Sequence, residues 1–371
     1  MNKITNHQLY RLVVAHFAEI IREPAVIFWG VIFPILMAWG LGIAFTQKTG
    51  LNAKLAIVRT EQTSDGNKSK LFAGLSENGI KKDSSYLVTL KNEKLGDAQL
   101  SYFETSSSNA YRLLKKGKVS VIIEDSNSGS KYSFDPSNQD AKAAYQLAAD
   151  FEQNGTKSYA KMQESIVPLT LKGSRYVDFL IPGLLGMGIM MACCWGISYT
   201  IIDRRSKKLL RRMVATPMRK TNLLIALITA RFFMNLAEAV LLFIFAWIYF
   251  DVTIQGSVSA LIILFMAGNI AFSGIAILIS SRTASSEVGN GMINAIVTPM
   301  MVVSGVFFSY HNFPDWAVSV IQFLPLSMIA DGFRTIFNEG GTFVDVWREA
   351  VMLASIGVST FVIGIKTFKW Y

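Results

Sequence analysis

The sequence predicts a polytopic α-helical membrane protein: six transmembrane helices in a one-plus-five order, an α+β extracytoplasmic domain and a re-entrant outer helical hairpin. Three observations carry that expectation. Apolar segments of spanning length recur along the chain, a polar insert of about 130 residues separates the first from the others, and a dense basic run, Asp203 to Lys220, lies between the second and third. Of the 371 residues 51% are hydrophobic and 17% charged, and the mean hydropathy of +0.36 suits lipid better than a soluble enzyme.

A helix crosses a bilayer core with about 20 apolar residues. Six segments qualify: about 25–45, 176–202, 223–250, 257–281, 291–309 and 347–365. Ahead of them, in residues 1–24, Leu9, Leu12, Val13, His16, Phe17, Ile20 and Ile21 recur at helical spacing among Lys3, Arg11, Glu19 and Arg22. That spacing predicts an amphipathic helix lying on the membrane surface, ended by Pro24. The first apolar run follows a long polar lead and lacks a small-x-small exit, so a retained span is expected rather than a cleaved signal.

Orientation follows from basic residues in short loops. Arg204, Arg205, Lys207, Lys208, Arg211, Arg212, Arg219 and Lys220 place the 203–222 loop in the cytoplasm. Counting outward puts both termini inside and the insert outside. The short outer turn at Asp251–Gly256 carries one acid, while Arg282, Lys366 and Lys369 fall on the inner side.

The insert, 46–174, reads as an α+β domain. Lys54–Thr60, Tyr86–Lys91 and Val119–Glu124 are strand-like, a helix follows Ser106–Ser108 through Lys116, and a longer one runs from Asn138 toward Met162. In the five-helix domain, 175–371, Pro325 breaks the apolar outer stretch 310–346 into pieces too short to span. A re-entrant hairpin or an interfacial helix pair is expected there. The two cysteines, Cys193 and Cys194, are adjacent in an apolar run and offer neither a disulfide framework nor a multi-ligand metal site.

One span, a large insert, five further spans, a basic loop between the second and third, and an outer hairpin resemble the type-2 ABC transporter permeases, or type V exporters. The resemblance rests on Asp203–Ala226 (DRRSKKLLRRMVATPMRKTNLLIA), Ala110–Ile123 and Leu324–Phe337 (LPLSMIADGFRTIF). It departs where Lys207-Lys208 replace the family's Gly-Thr step and where Asp203 replaces its Glu.

The resemblance implies a permease half that pairs with a second copy or a paralogue. Separate cytoplasmic ATPase subunits carrying ATP and Mg would drive it, and this chain would hold no cofactor. No G-x-x-x-x-G-K-[ST] occurs in it, which agrees with that division of labour. Coupling would then fall to Arg204, Arg205, Lys207, Lys208, Arg211 and Arg212, with Thr216-Pro217 as the exit turn. Anchoring of the same charges at lipid headgroups is the simpler reading, and the two are compatible. The resemblance also implies a substrate path from the second and fifth spans, Met187, Met190, Met191, Asn294, Thr298 and Met301, and an insert on which a periplasmic adaptor or outer channel can dock.

Small residues Gly188, Ala192 and Gly196 recur every four residues in the second span as a packing seam, within one subunit or across a dimer axis. Arg231, Asn235 and Glu238 share one face of the third span. Arg231 is expected near the inner boundary, where its head can snorkel.

Catalytic readings find little support, because His7, His16 and His311 are scattered and neither Ser273-Gly274 nor Ser304-Gly305 belongs to a G-x-S-x-G elbow. Nothing points to nucleic acid. The alternative to an ATP-driven exporter of a drug, lipid or peptide is an ATPase-independent carrier or a scaffold presenting its outer domain; no inverted repeat favours the carrier.

Overall fold

The computed structural model resolves the chain into two compact units, Met1–Thr46 with Leu171–Tyr371, and Gln47–Thr170. It describes residues 3–46, 52–59, 75, 79–82, 85–91, 97–126, 129–136, 138–155, 173, 175–214, 220–283 and 285–370.

The first unit is helical. A surface helix, Lys3–Ile21, leads through Pro24, whose fixed φ suits a helix start, into a first long helix built of Pro24–Ile27, a π-helical turn Phe28–Ile32 and Phe33–Thr46. The second long helix has the same construction: Tyr176–Cys193, a π-helical stretch Cys194–Tyr199 and Thr200–Ser206. The third is Lys220–Phe250, the fourth Val258–Ser280, the fifth Ser286–Val303 and the last Phe343–Thr367.

Five of these are long and apolar enough to cross a membrane: Phe28–Phe45, Tyr176–Ser206, Thr221–Phe250, Val258–Ser280 and Phe343–Thr367. A sixth crossing results if Asp315–Ile321 and Pro325–Asn338, bent by 86° at their break, are counted as one broken span. The fifth helix, expected over 291–309, starts earlier and stops sooner. Ser286, Glu287, Asn290 and Asn294 dilute its apolar run, and Gly305 at φ +77° turns the chain just beyond its end.

The second helix is the centre of the unit, with 83% of its apolar span buried against 17% for the first, so the first is peripheral. The fourth and last helices approach through a glycine seam that Gly274, Gly357 and Gly364 line. A Cβ on Gly357 would lie 2.5 Å from the backbone of Ile270, and one on Gly364 3.0 Å from that of Leu278. In lipid, where helix association depends on van der Waals contact, such seams set the distance between axes.

The second unit is a mixed six-stranded sheet in the order β2-β3-β4-β1-β5-β6, with β1 Asn52–Arg59, β2 Ile80–Lys82, β3 Ser85–Leu90, β4 Ala98–Glu104, β5 Val121–Ser126 and β6 Gly129–Phe134. Strand β1 is parallel to both β4 and β5, and the outer pairings are antiparallel. Its Leu55 and Ile57 face a cluster containing Ala144, Ala148 and Phe151 of the helix Gln139–Asn154, while Ala56 and Val58 face Ala110 of the helix Ser107–Lys115. Burial on both faces explains why β1 reads as a continuous apolar run instead of an alternating one.

Strands β2, β4 and β6 escape sequence reading because they are polar or half-exposed. The helix expected to reach Met162 ends at Asn154, where Gly155 at φ +65° caps it; 156–162 lie outside the described residues.

Because the Gly357 contact is with backbone, Gly357→Ala is expected to lower the thermal unfolding midpoint in detergent. Gly40→Ala, where an added Cβ meets nothing within 4 Å, is expected to leave it unchanged or raise it.

Candidate coupling segment and intramembrane polar core

The basic loop is not a uniform charged surface. The second helix ends at Ser206, Lys207 and Lys208 break the path, and a short helix, Leu209–Val214, follows with Leu210 buried. Lys208 sits at φ +58°, in the left-handed region that favours glycine and costs a side-chain-bearing residue about 1 kcal/mol. The left-handed backbone thus falls on the second residue of the Lys207-Lys208 step.

Arg205 is buried and faces inward. Its guanidinium donates to the carbonyls of Ser280, Ser281 and Thr283 at the end of the fourth helix and lies 4.9 Å from the Phe368 ring centre. Those carbonyls belong to a helix C-terminus, which lacks intrahelical donors and carries partial negative charge. Ser206 Oγ lies 3.2 Å from Ser286 Oγ of the fifth helix. Arg204 points the other way, donating to Glu19 and His16 of the surface helix.

Lys207 pairs with Asp203 at 2.8 Å, one turn back, and stays exposed. Lys208, Arg211 and Arg212 are exposed too. Thr216 and Pro217 lie outside the described residues. Of the six expected basic coupling residues, Arg204 and Arg205 are therefore internal ties, and Lys207, Lys208, Arg211 and Arg212 form the outer face.

Deeper in the unit, Arg231, Asn235 and Glu238 are 6%, 3% and 6% exposed. Arg231 does not snorkel. Its guanidinium packs on Gly196, where a Cβ would lie 2.7 Å from Nε, and Glu238 packs on Gly30, where a Cβ would overlap its Oε1. Each glycine stands in one of the two π-helical stretches, a helix form that recurs at functional sites. Between the two charges Asn235 donates to Asn269 Oδ1 at 2.7 Å and to Cys193 Sγ at 3.4 Å, and Ser273 Oγ lies 3.7 Å from the same sulfur. Arg231 Nε, Asn235 Oδ1 and Glu238 Oε1 have no hydrogen-bond partner.

Sequence reasoning missed Asn269 and Ser273, which lie four apart in the fourth helix, the i, i+4 spacing of one face. The expected small-residue seam is divided: Gly188 faces open space, Ala192 is buried and Gly196 receives Arg231. The expected path is divided as well. Met187 and Met190 belong to the packed core and Met191 and Met301 are half-buried, whereas Asn294 and Thr298 lie on the exposed side of the fifth helix.

At the opposite end Arg334 stacks 3.6 Å from the Phe179 ring centre, donates to the carbonyls of Phe179 and Gly305, and pairs with Asp331 at 3.0 Å. Tyr310 donates to Asp331 at 2.7 Å. These contacts tie the bent helix pair to the second helix.

Long apolar helices with one basic loop match the architecture of a known group. A model of the ABC-2 family transporter proteins covers residues 24–366. The chain belongs to that family. The permease is also similar to the linearmycin resistance permease protein LnrN of Bacillus subtilis strain 168, 22% identical over 255 residues, which are 62% of either chain. It thus spans 62% of that relative's length. Membership makes the permease a multi-pass membrane protein of the ABC transporter type.

Two substitutions separate internal ties from outer charges. Arg205→Leu leaves helix-end carbonyls unpaired and is expected to cost about 2 kcal/mol or more in chemical unfolding of the permease, whereas Arg211→Gln is expected to stay within about 0.5 kcal/mol. Lys208→Gly is expected to hold or raise stability in the same measurement, because it relieves the left-handed backbone at a position with no buried side chain.

Proposed function

We propose that the permease works as one of two membrane halves of an ATP-driven exporter in the bacterial inner membrane. Both termini lie in the cytoplasm, the sheet unit lies outside, and separate ATPase subunits holding ATP and Mg dock on the coupling segment. The observation that carries this reading is the build of that segment. Arg205 and Arg204 bind its root to the fourth helix and the surface helix, while Lys207, paired with Asp203, and Lys208, Arg211 and Arg212 are exposed on its outer face. A rigid root transmits a push into the membrane helices, and an open basic face receives an acidic or dipolar partner surface.

The fifth helix supports pairing. Asn294 and Thr298 are polar and exposed on a helix of a membrane unit, and polar groups there turn toward protein or a watered path instead of lipid. A second permease copy, or the substrate path between copies, meets that requirement. We read the bent pair as a re-entrant outer hairpin, since Pro325–Asn338 is largely buried while Trp316, Val320 and Phe323 are exposed as interfacial anchors. A hydrophobic or amphiphilic drug, lipid or peptide is the cargo class, supported by half-buried Met191 and Met301 and by the resistance permease among its relatives. The sheet unit is then placed to receive an adaptor or outer channel.

Charge reversal of Arg211 and Arg212 together tests the docking face. It is expected to abolish co-purification of the ATPase subunits and substrate-stimulated ATP hydrolysis while membrane topology is retained. Undiminished binding and hydrolysis would refute the assignment, and flux driven by an ion gradient without ATPase would favour a secondary carrier.

A further inference from the structure

We propose that His16 is a proton-operated latch between the surface helix Lys3–Ile21 and the coupling segment, closed when its imidazole is neutral and released when it is protonated. His16 is 5% exposed, and the Arg204 guanidinium lies against it: Nη2 is 3.1 Å from Nδ1 and Nη1 3.5 Å from Nε2. Glu19, one turn along the same helix, lies 3.2 Å from Nδ1 and also accepts from Arg204.

A neutral imidazole has one nitrogen that can accept a guanidinium proton, and an imidazolium has none. With Nδ1 as acceptor and the ring proton on Nε2, the Arg204 contact is a hydrogen bond. After protonation Nδ1–H turns to Glu19, and the same geometry holds two cations 3.1 Å apart on a ring that is itself buried. The guanidinium–imidazole hydrogen bond is lost, and only the Arg204–Glu19 ion pair still holds the two segments together.

The charged groups acting on the ring are Glu19 from its own helix and Arg204 from the second long helix. The third long helix, which also packs along the surface helix, adds none among the described side chains. Burial foremost, and then the Arg204 charge, lowers the His16 pKa from its ordinary 6.5. Burial pushes Glu19 upward, but Arg204 and His16 outweigh it and hold that carboxylate ionised.

The sign follows from the lowered His16 value. A released ring takes its proton near 6.5, the docked ring only at lower pH, so the latch is at full strength above 6.5 and weakens as pH falls through the docked value. Within that window the closed-to-released ratio falls by up to about tenfold per pH unit.

The surface helix runs within three residues into Pro24 and the first long helix, and Glu23 bears electrostatically on Lys207. Release therefore weakens the tie between the first long helix and the coupling segment, leaving the Arg204–Glu19 pair as its remaining link. This consequence rests on the coupling role proposed above; the latch itself does not.

The latch is read on the full permease alone, in vesicles of mixed zwitterionic and anionic phospholipid, with Tyr10→Cys carrying an environment-sensitive fluorophore. Tyr10 is exposed, and the native Cys193 and Cys194 are buried. Titration from pH 8 to 5 is expected to give a transition with its midpoint below 6.5. His16→Gln, which accepts from Arg204 but does not titrate, is expected to remove the transition, and His16→Lys to show the released signal already at pH 7.5. A flat wild-type titration, or an unchanged one in His16→Gln, would overturn the latch. With ATPase subunits bound, a fluorescence transition unaccompanied by any fall in coupled ATP hydrolysis relative to His16→Gln would overturn the coupling consequence and leave the latch standing.

Discussion

Where the fourth helix of a membrane unit ends, its last carbonyls need donors from outside the helix ladder, and in this chain one guanidinium supplies three of them, with the Lys369 backbone N–H and the local hydroxyls of Ser280, Ser281 and Thr283 serving the others or sharing them. Arg205 reaches Ser280, Ser281 and Thr283, and Phe368 covers its far face. Second, fourth and last helices are thereby held at a common end. Everything proposed for the coupling segment depends on that tie: a loop of exposed lysines and arginines without a rooted base would move without moving the helices above it. The left-handed backbone at Lys208 is the local consequence, turning the chain sharply after the second helix so that Leu209–Val214 lies beyond the clamp.

The same need for internal partners organises the interior. Two opposite charges on the third helix, Arg231 and Glu238, are accommodated by two glycines on different neighbours, each in a π-helical stretch of its helix. The amides, the hydroxyl and the Cys193 sulfur between them meet across three helices. Because hydrocarbon offers no hydrogen bonds, a charged face on the third helix dictates small residues wherever a neighbour crosses it. The glycine seam between the fourth and last helices obeys a purely steric version of this rule.

Much of the architecture is legible in the chain because length and apolarity are one-dimensional properties. Runs such as 176–202 and 223–250 exceed bilayer thickness wherever they sit, and the apolar Leu55–Val58 reads as a short strand, whose burial on both faces the two packed helices decide. The basic residues from Arg204 to Lys220 are equally plain as a charge cluster. Their division into ties and outer face is not, since Arg204 and Arg205 are neighbours in sequence yet point to different helices. Asn269 and Ser273 escape notice for a related reason: an Asn or Ser in an apolar run is unremarkable until Asn235 and Cys193 lie across from it.

The amino-acid order settles which segments can enter a membrane, where the polar insert begins, and which loop carries the charge, all consequences of local hydrophobicity and charge density. Long-range geometry settles the rest. It alone seats Arg231 on Gly196 in place of the headgroup region, places Met187 and Met190 in the core while Asn294 and Thr298 stay exposed, and sets His16 against Arg204, 188 residues away. Desolvation and close packing act between residues far apart in the chain, and so become visible only when the helices are assembled.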